Sequence, residues 1–398
     1  VSFFLYDDAR ARSFEPFALT RPIGELRAGA LVIRERWARV TGEDAAGHVV
    51  AAHLLEYDEP HVPGAVTDTL PAGSWLVNSR CVPALDTHPS HDAAVWRCGG
   101  RYAGVRLTRA VPVAELSDGT VTLEAIAGDA EPAADIRGRW VDEVWHFIRD
   151  LHGQLCDDID ILGPAAASRS SKRDAHAMYV EHGAKVDPMA SVDCSKGPVM
   201  VCRGAVVSAF TRLIGPCYVG EDSTVSTDRI EGSAIGEHCK VHGELSASII
   251  LSYSNKSHDG FVGHSYLGRW VNLGAGTITS NLKNTYGPVQ FWTPSGMRDT
   301  GLQFLGTFFG DFAKTGIGTR LTTGTVVGAG ANVVDAGVTP KYIPPFAWDD
   351  SGQPGTYALP KFYEAAERQM QRRAQTLGAK ARRQLAAAHA LSLKGNSK

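Results

Sequence analysis

The chain has 398 residues, 43% hydrophobic and 21% charged, which excludes global disorder and leaves room for two or three domains. Forty Lys+Arg against 43 Asp+Glu give a net charge of −3, without the basic footprint of a nucleic-acid binder. Seven cysteines with no C-x-x-C pair, and no apolar run of the ~18–20 residues a bilayer requires, predict reduced thiols, a cytoplasmic location and no membrane span.

In chain order, Ser2–Tyr6 reads as a buried opening strand, without the basic n-region or cleavage site of a leader. Ala30–Arg39 predicts a helix; Ser74–Asn78 and Val141–Asp150 predict further elements, and the mixture gives an α/β domain over 1–139. Asp7 and Asp8 end the first strand, where carboxylates either bind Mg2+ or form a turn. Arg10, Arg12, Arg21 and Arg27 supply guanidinium groups of the kind that pair with nucleotide phosphates. No glycine-rich phosphate loop follows the strand. Trp140–Leu162 has helical spacing, and Asp157, Asp158 and Asp160 read as its solvated end. Gly163–Arg173 is small and polar, so residues 140–175 read as a connecting helix and linker.

The 42 glycines are uneven, with 13 in 1–155 and 24 in 183–337. Val201, Val207, Leu213, Val219 and Val225 recur every six residues; Ile235 and Val241, then Phe261, Leu267 and Leu273, then Phe309, Thr315, Leu321, Val327 and Val333 keep that step. Gly220, Gly236, Gly268, Gly274, Gly310, Gly316 and Gly328 follow directly, at corners where positive φ is expected. A period of six is neither helical nor that of a strand; it predicts a parallel β-helix over 176–345, three hexads to a coil. Titratable residues concentrate in Ser254–Asn281, which holds Lys256, His258, Phe261, His264, Tyr266, Asn272, Ala275 and Gly276; Lys283 follows. A neutral imidazole is suited to take an amine proton near pH 7.

Hexads of this kind resemble the left-handed β-helix acyltransferases, which imply a homotrimer with active sites between subunits. The segment is similar to the acetyltransferase half of the bifunctional bacterial enzymes that make UDP-N-acetylglucosamine. Their pattern, opening H-L-T-Y-L-G and closing V-N-I-G-A-G-T-I-T-C-N, aligns without a gap on His258 to Asn281. The resemblance implies acetyl-CoA as co-substrate and an amino sugar phosphate, or another amino sugar or sugar nucleotide, as acceptor. It makes His258 the general base, with His264 the competitor. Asn272 and Asn281 become sugar-phosphate and acyl-donor contacts, and Ala275, with Gly276, meets the thioester through backbone amide. The family's substrate tyrosine falls on Phe261, for which Tyr266 or Lys283 can compensate; Lys256 is a further substrate-binding candidate. Leu5–Asp8, Arg10, Arg12, Phe14–Pro22 and Ile33–Trp37 resemble a shortened sugar-nucleotidyltransferase domain, either active with a nucleotide and Mg2+ or degenerate. A zinc carbonic anhydrase built on His238, His242, His258 and His264 is disfavoured, because a four-residue spacing does not align ligands on a β-helix.

After the repeat, Pro340, Pro344, Pro345, Pro354 and Pro360 mark an irregular segment, and 346–398 ends in a helix. Its stripe is Phe362, Ala366, Met370, Ala374, Leu377, Ala381 and Leu385. Nine Lys/Arg against two Glu in 361–398 give it +7, either a solvated face or a hold on the acyl donor's phosphates.

Overall fold

The computed structural model describes residues 2–226, 228–334, 337–350 and 353–395; Lys398, one of the nine tail cations, lies outside them. The chain divides into two compact units, 1–144 with 377–398, and 145–376.

The first unit is built on six strands: β1 (Phe3–Tyr6), β2 (Ala45–Val49), β3 (Trp75–Asn78), β4 (Val95–Cys98), β5 (Arg101–Arg106) and β6 (Ala133–Ile136). They lie in the order β6-β4-β5-β3-β1-β2. Strand β1 lies inside the sheet, one in from its edge and parallel to both neighbours, and its four residues Phe-Phe-Leu-Tyr are all buried. Helix α1 (Ile33–Thr41) buries Ile33, Trp37 and Val40 and stops at Gly42, whose φ of 73° closes the last turn.

In the second unit, helix α2 (Leu151–Ala166) runs through the expected linker, and Ala167–Arg173 is a strand paired with His176–Glu181. The polar 163–173 stretch is therefore structured, because its backbone donors are taken up by the first strand of the repeat. The repeat itself is a parallel β-solenoid of about nine turns, as a left-handed β-helix requires. Its first face runs through Val199–Val201, Cys217–Val219, Ala234–Glu237, Ile249–Ser252, Tyr266–Arg269, Phe308–Phe309 and Val326–Val327. The second face holds Val206–Val207, Thr224–Val225, Lys240–Val241 and Asn255–Lys256, and resumes at Lys314–Thr315; the third holds Arg212–Ile214, Arg229–Glu231, Glu244–Ser246 and Phe261–Gly263. Residues between Asn281 and Leu305 leave the coil and include a hairpin, Gln290–Thr293 with Gly296–Asp299.

The predicted hexad residues fill the axial core with two corrections. Phe261 is half-buried outside and Val262 is the inward residue. Ile230 and Leu245, at steps of five and four from Val225 and Val241, are core members that a strict period of six passes over. The glycines also have a different cause. Gly220, Gly236, Gly274 and Gly328 do not have positive φ; a Cβ at Gly220 would lie 2.6 Å from the backbone of Gly236 one coil on. They are small because coils stack there at backbone contact. Positive φ falls two residues further on, at Asp222, His238, Trp270 and Phe312 after Gly220, Gly236, Gly268 and Gly310, and at Tyr253 and Phe346 where Leu251 and Pro344 stand at the same corner.

The tail is two helices, α3 (Leu359–Gln371) and α4 (Ala379–Gly395), not one. Ala374, with φ of 53°, turns the chain between them. The single apolar stripe is thereby split: α3 buries Phe362, Ala366 and Met370 in the second unit, and Leu377 and Leu385 are buried in the first, where Arg383 pairs with Glu56.

Candidate functional site

The positive-φ corner residues explain how α3 is held. His238, Tyr253, Trp270 and Phe312 stack coil upon coil, with ring centroids 4.6, 4.5 and 6.4 Å apart. Phe362 packs edge-on to Phe312 and Phe346 at 5.7 and 5.1 Å. Two polar contacts then fix the exposed end of α3: Gln369 Nε2 donates to Trp270 O at 2.7 Å, and Arg373 donates to His238 O at 3.0 Å and Asn255 Oδ1 at 2.6 Å.

Between α3 and the second face lies a cleft of about 850 Å3. Its floor is a ladder with one outward residue per coil, Lys240, Asn255, Asn272 and Lys314 in parallel register. Asn255 Nδ2 donates to Asn272 Oδ1 at 3.3 Å. Arg368, Arg372 and Arg373 come from the α3 side, Tyr253 and Trp270 from the aromatic corner, and His258, Gly274 and Ala275 from the opposite rim. Among the described residues no acidic side chain lines it; Arg368 is paired, 3.3 Å from Glu364, on the helix surface. Burial pushes the Lys314 ammonium down to about 8, so it stays mostly protonated at neutral pH, and an anion beside it would hold that charge more firmly. The Ala275 N–H takes no hydrogen-bond partner among the described residues and stands at the turn before Gly276, whose φ is 71°. His258 is exposed, on the loop that follows Lys256.

The structure thus brings His258, Asn272 and Ala275 to one cleft and draws other candidates elsewhere. His264 lies at a different corner of the coil, lining a second cavity of about 480 Å3 with Arg149, His152 and Gln303. Its Nδ1 is 2.9 Å from Asn281 Nδ2, and its ring stacks on Phe304 at 5.3 Å. Burial pushes its pKa down to about 4, so it is neutral throughout the physiological range. Phe261 and Asn281 flank Gly263, where a Cβ would meet both. Tyr266 is fully buried against Phe147 and Phe308. Lys283 donates to Pro288 O at 3.1 Å within the excursion. Lys256 is buried with its Nζ on the carbonyls of His242 and His258, at 2.7 and 3.0 Å, and burial pushes it down to about 8. Among the described residues no group of three or more His, Cys, Asp or Glu is placed to hold a metal. The sequence offered the tail cations either as a solvated face or as a hold on the donor's phosphates; that Arg372, Arg373 and Gln369 stand across from Asn255 and Trp270 is visible only in the fold, because about a hundred residues separate them in the chain.

In the first unit a cavity of about 400 Å3 opens at the ends of β1 and β3, lined by Tyr6, Asp8, Arg10, Asn78, Arg80, Arg101 and the 119–124 segment. Asp8 takes both Arg80 nitrogens (2.9 and 2.6 Å), Asn78 Nδ2 (2.9 Å) and the Ala11 N–H (2.9 Å), which together hold its carboxyl below the usual carboxylate range. Arg80 and Arg101 share Asp142 at 2.8 and 2.9 Å, and Arg101 lies 3.8 Å over the Trp140 ring. Asp7 is buried, its Oδ2 accepting from Ile23 N at 3.1 Å, and burial raises its pKa. With Asp8 enclosed by four donors and Asp7 turned inward, the end of β1 does not fit a Mg2+ site as folded. The four sequence-nominated arginines are engaged within the unit. Arg10 reaches Glu143, Arg12 the Asp7 and Leu116 carbonyls (2.8 and 3.1 Å), Arg21 Glu59 (2.9 Å) and Arg27 the Ala30 carbonyl.

The two units are a nucleotidyltransferase-like strand–helix layer and a parallel β-helix that carries a cation-lined cleft. Residues 3–165 match the model of the sugar nucleotidyl transferase family. The chain is 33% identical over 96 residues to the "Bifunctional protein GlmU" of Picosynechococcus, covering 22% of this chain and 21% of that one. It is 32% identical over 95 residues to the "Bifunctional sugar-1-phosphate nucleotidylyltransferase/acetyltransferase" of Sulfurisphaera tokodaii, 24% of each chain. A longer match, 23% over 218 residues, joins 52% of this chain to 42% of the Synechococcus GlmU. The chain therefore spans from about a fifth to under half the length of these curated relatives, and over those stretches it is similar to proteins named as bifunctional nucleotidylyltransferase/acetyltransferases.

Proposed function

We propose that the protein is an acetyl-CoA-dependent N-acetyltransferase whose acceptor is an amino sugar phosphate of the glucosamine-1-phosphate type, working in UDP-N-acetylglucosamine supply. The observation that carries this reading is the cleft that joins His258 and the Ala275 amide to a floor of amides and a wall of cations without an acid. Both substrates are phosphorylated, and Lys240, Lys314 and Arg372 are the groups that would hold them. The acceptor amine attacks the thioester carbonyl; the C–N bond forms, the C–S bond breaks, and His258 takes the amine proton and returns it to the departing thiolate. The Ala275 N–H is the donor offered to the tetrahedral oxyanion. A homotrimer and a cytoplasmic location belong to the same reading, and Ile317, 79% exposed beside the cleft, is a surface that a neighbouring copy would cover.

For the first unit, the enclosure of Asp8 favours binding of a sugar nucleotide without metal-dependent nucleotidyl transfer. A coupled assay with glucosamine-1-phosphate, acetyl-CoA, UTP and Mg2+ tests both halves. Release of the CoA thiol without pyrophosphate is the expected result. Pyrophosphate release would restore the bifunctional alternative, and no thiol release would sink the acetyltransferase.

A further inference from the structure

On the second face the inward positions of successive coils are Val186, Val207, Val225 and Val241, and then Lys256 in register with Val241. A lysine, 2% exposed, stands where its neighbours along the axis are aliphatic. Such a position is costly for an unsatisfied ammonium, so the local reason for it should be visible. It is visible in the corners. From inward residue to inward residue across this corner the step is six at Val207–Leu213 but only four at Val241–Leu245, and six again at Lys256–Val262. The loop carrying His258 therefore overhangs a corner two residues shorter.

Elsewhere along this edge, a backbone N–H ties three corners to the coil before them: Phe210 to Met189 O at 3.3 Å, Gly276 to Asp259 O at 3.0 Å and Gly318 to Ala275 O at 2.8 Å. At the mismatched corner the His242 carbonyl instead receives Lys256 Nζ, which also donates to His258 O. Gly243 makes room: its φ is 77°, and a Cβ there would lie 2.7 Å from Nζ and 2.9 Å from His258 O. The Gly276–Asp259 bond carries the link on to the Ala275 turn.

We propose that Lys256 is a positioning residue, an internal staple that ties the short His242 corner to the overhanging loop and so holds His258 in register with the Ala275 amide. This rests on the reading of His258 as the base, and it gives Lys256 a role away from substrate. The groups facing the staple are His242, Glu244, Asp228 and Asp259, the last 3.0 Å from His242 Nε2.

The test is Lys256→Met, which keeps the length and suits an aliphatic core, in the full chain. Two readouts are needed: amide hydrogen exchange at Gly276, whose N–H is held by Asp259 O at 3.0 Å, and acetyl transfer from acetyl-CoA to glucosamine-1-phosphate. Exchange is expected to quicken and kcat to fall about tenfold or more, with the acetyl-CoA KM held within about twofold, as for a misplaced reacting group. Gly243→Ala, outside the cleft, is expected to displace Nζ and reproduce the pattern, and it serves if the methionine variant does not fold. Unchanged exchange in a folded variant overturns the staple. Faster exchange with unchanged kcat overturns its positioning role. A wild-type protein that transfers no acetyl group would defeat the proposed function instead, and the exchange readout would still decide whether the staple exists.

Discussion

The end of β1 and the β-helix cleft hold similar side chains and use them in opposite ways. At β1, Arg80, Arg101 and Asp8 with Asp142 satisfy one another within the fold. In the cleft, Lys240, Lys314, Arg372 and Arg373 face a space whose walls, among the described residues, include amides, rings and carbonyls but no carboxylate. The difference teaches where an anion can bind: guanidinium groups already paired with carboxylates have little left to offer a phosphate, whereas unneutralised ones gain from it.

The sharpest way to break this comparison is His258→Ala, expected to lower acetyl transfer by roughly 10²–10⁴-fold with little change in acetyl-CoA KM, read by thiol release. Next is Lys314→Met with Arg372→Ala, each expected to weaken the phosphorylated ligand by about 10-fold or more, since a charge-assisted hydrogen bond contributes about 1.5–3 kcal/mol. Calorimetric titration at two salt concentrations would show it. In the first unit, Asp8→Asn is expected to cost about 2 kcal/mol of stability, below the usual loss for a fully buried pair because Asp142 still serves Arg80. The pH sense follows from the depressed Asp8 pKa: its contribution is present above about pH 4, the unfolded value, and is lost as pH falls through the folded one. Denaturant titrations at pH 7 and pH 3 of both proteins check it. The smallest effect is at His264. With its pKa pushed to about 4, it should show no imidazole titration by NMR between pH 5.5 and 8. Between about pH 6.5 and 4 the unfolded chain takes up the proton that the folded one refuses, so stability should fall by at most about 1.4 kcal/mol per pH unit.

Much of the β-helix was legible because a narrow axial core demands an aliphatic residue at each inward position, and Val201 through Val225 meet that demand at an unbroken step. It became illegible where the step shortened, at Ile230 and Leu245, and where the inward residue was polar, at Lys256. The glycines were readable as a pattern but not as a cause: coil-to-coil backbone contact, not positive φ, requires Gly220 and Gly236. For the site, the ungapped alignment named His258, Asn272 and Ala275, which line one cleft. It could not show the wall from α3, because Phe362 meets Phe312 only through the folded aromatic corner. Nor could it show that Arg80, distant in sequence, encloses Asp8.

The most direct measurement is calorimetric binding of acetyl-CoA to the wild-type chain, to the Lys314→Met/Arg372→Ala double variant and to Asp8→Asn. Binding to the wild type and to Asp8→Asn, with loss in the double variant, is the predicted result. Binding that survives the double substitution, or that disappears in a folded Asp8→Asn protein, would contradict the assignment of the β-helix cleft as the site of acyl transfer.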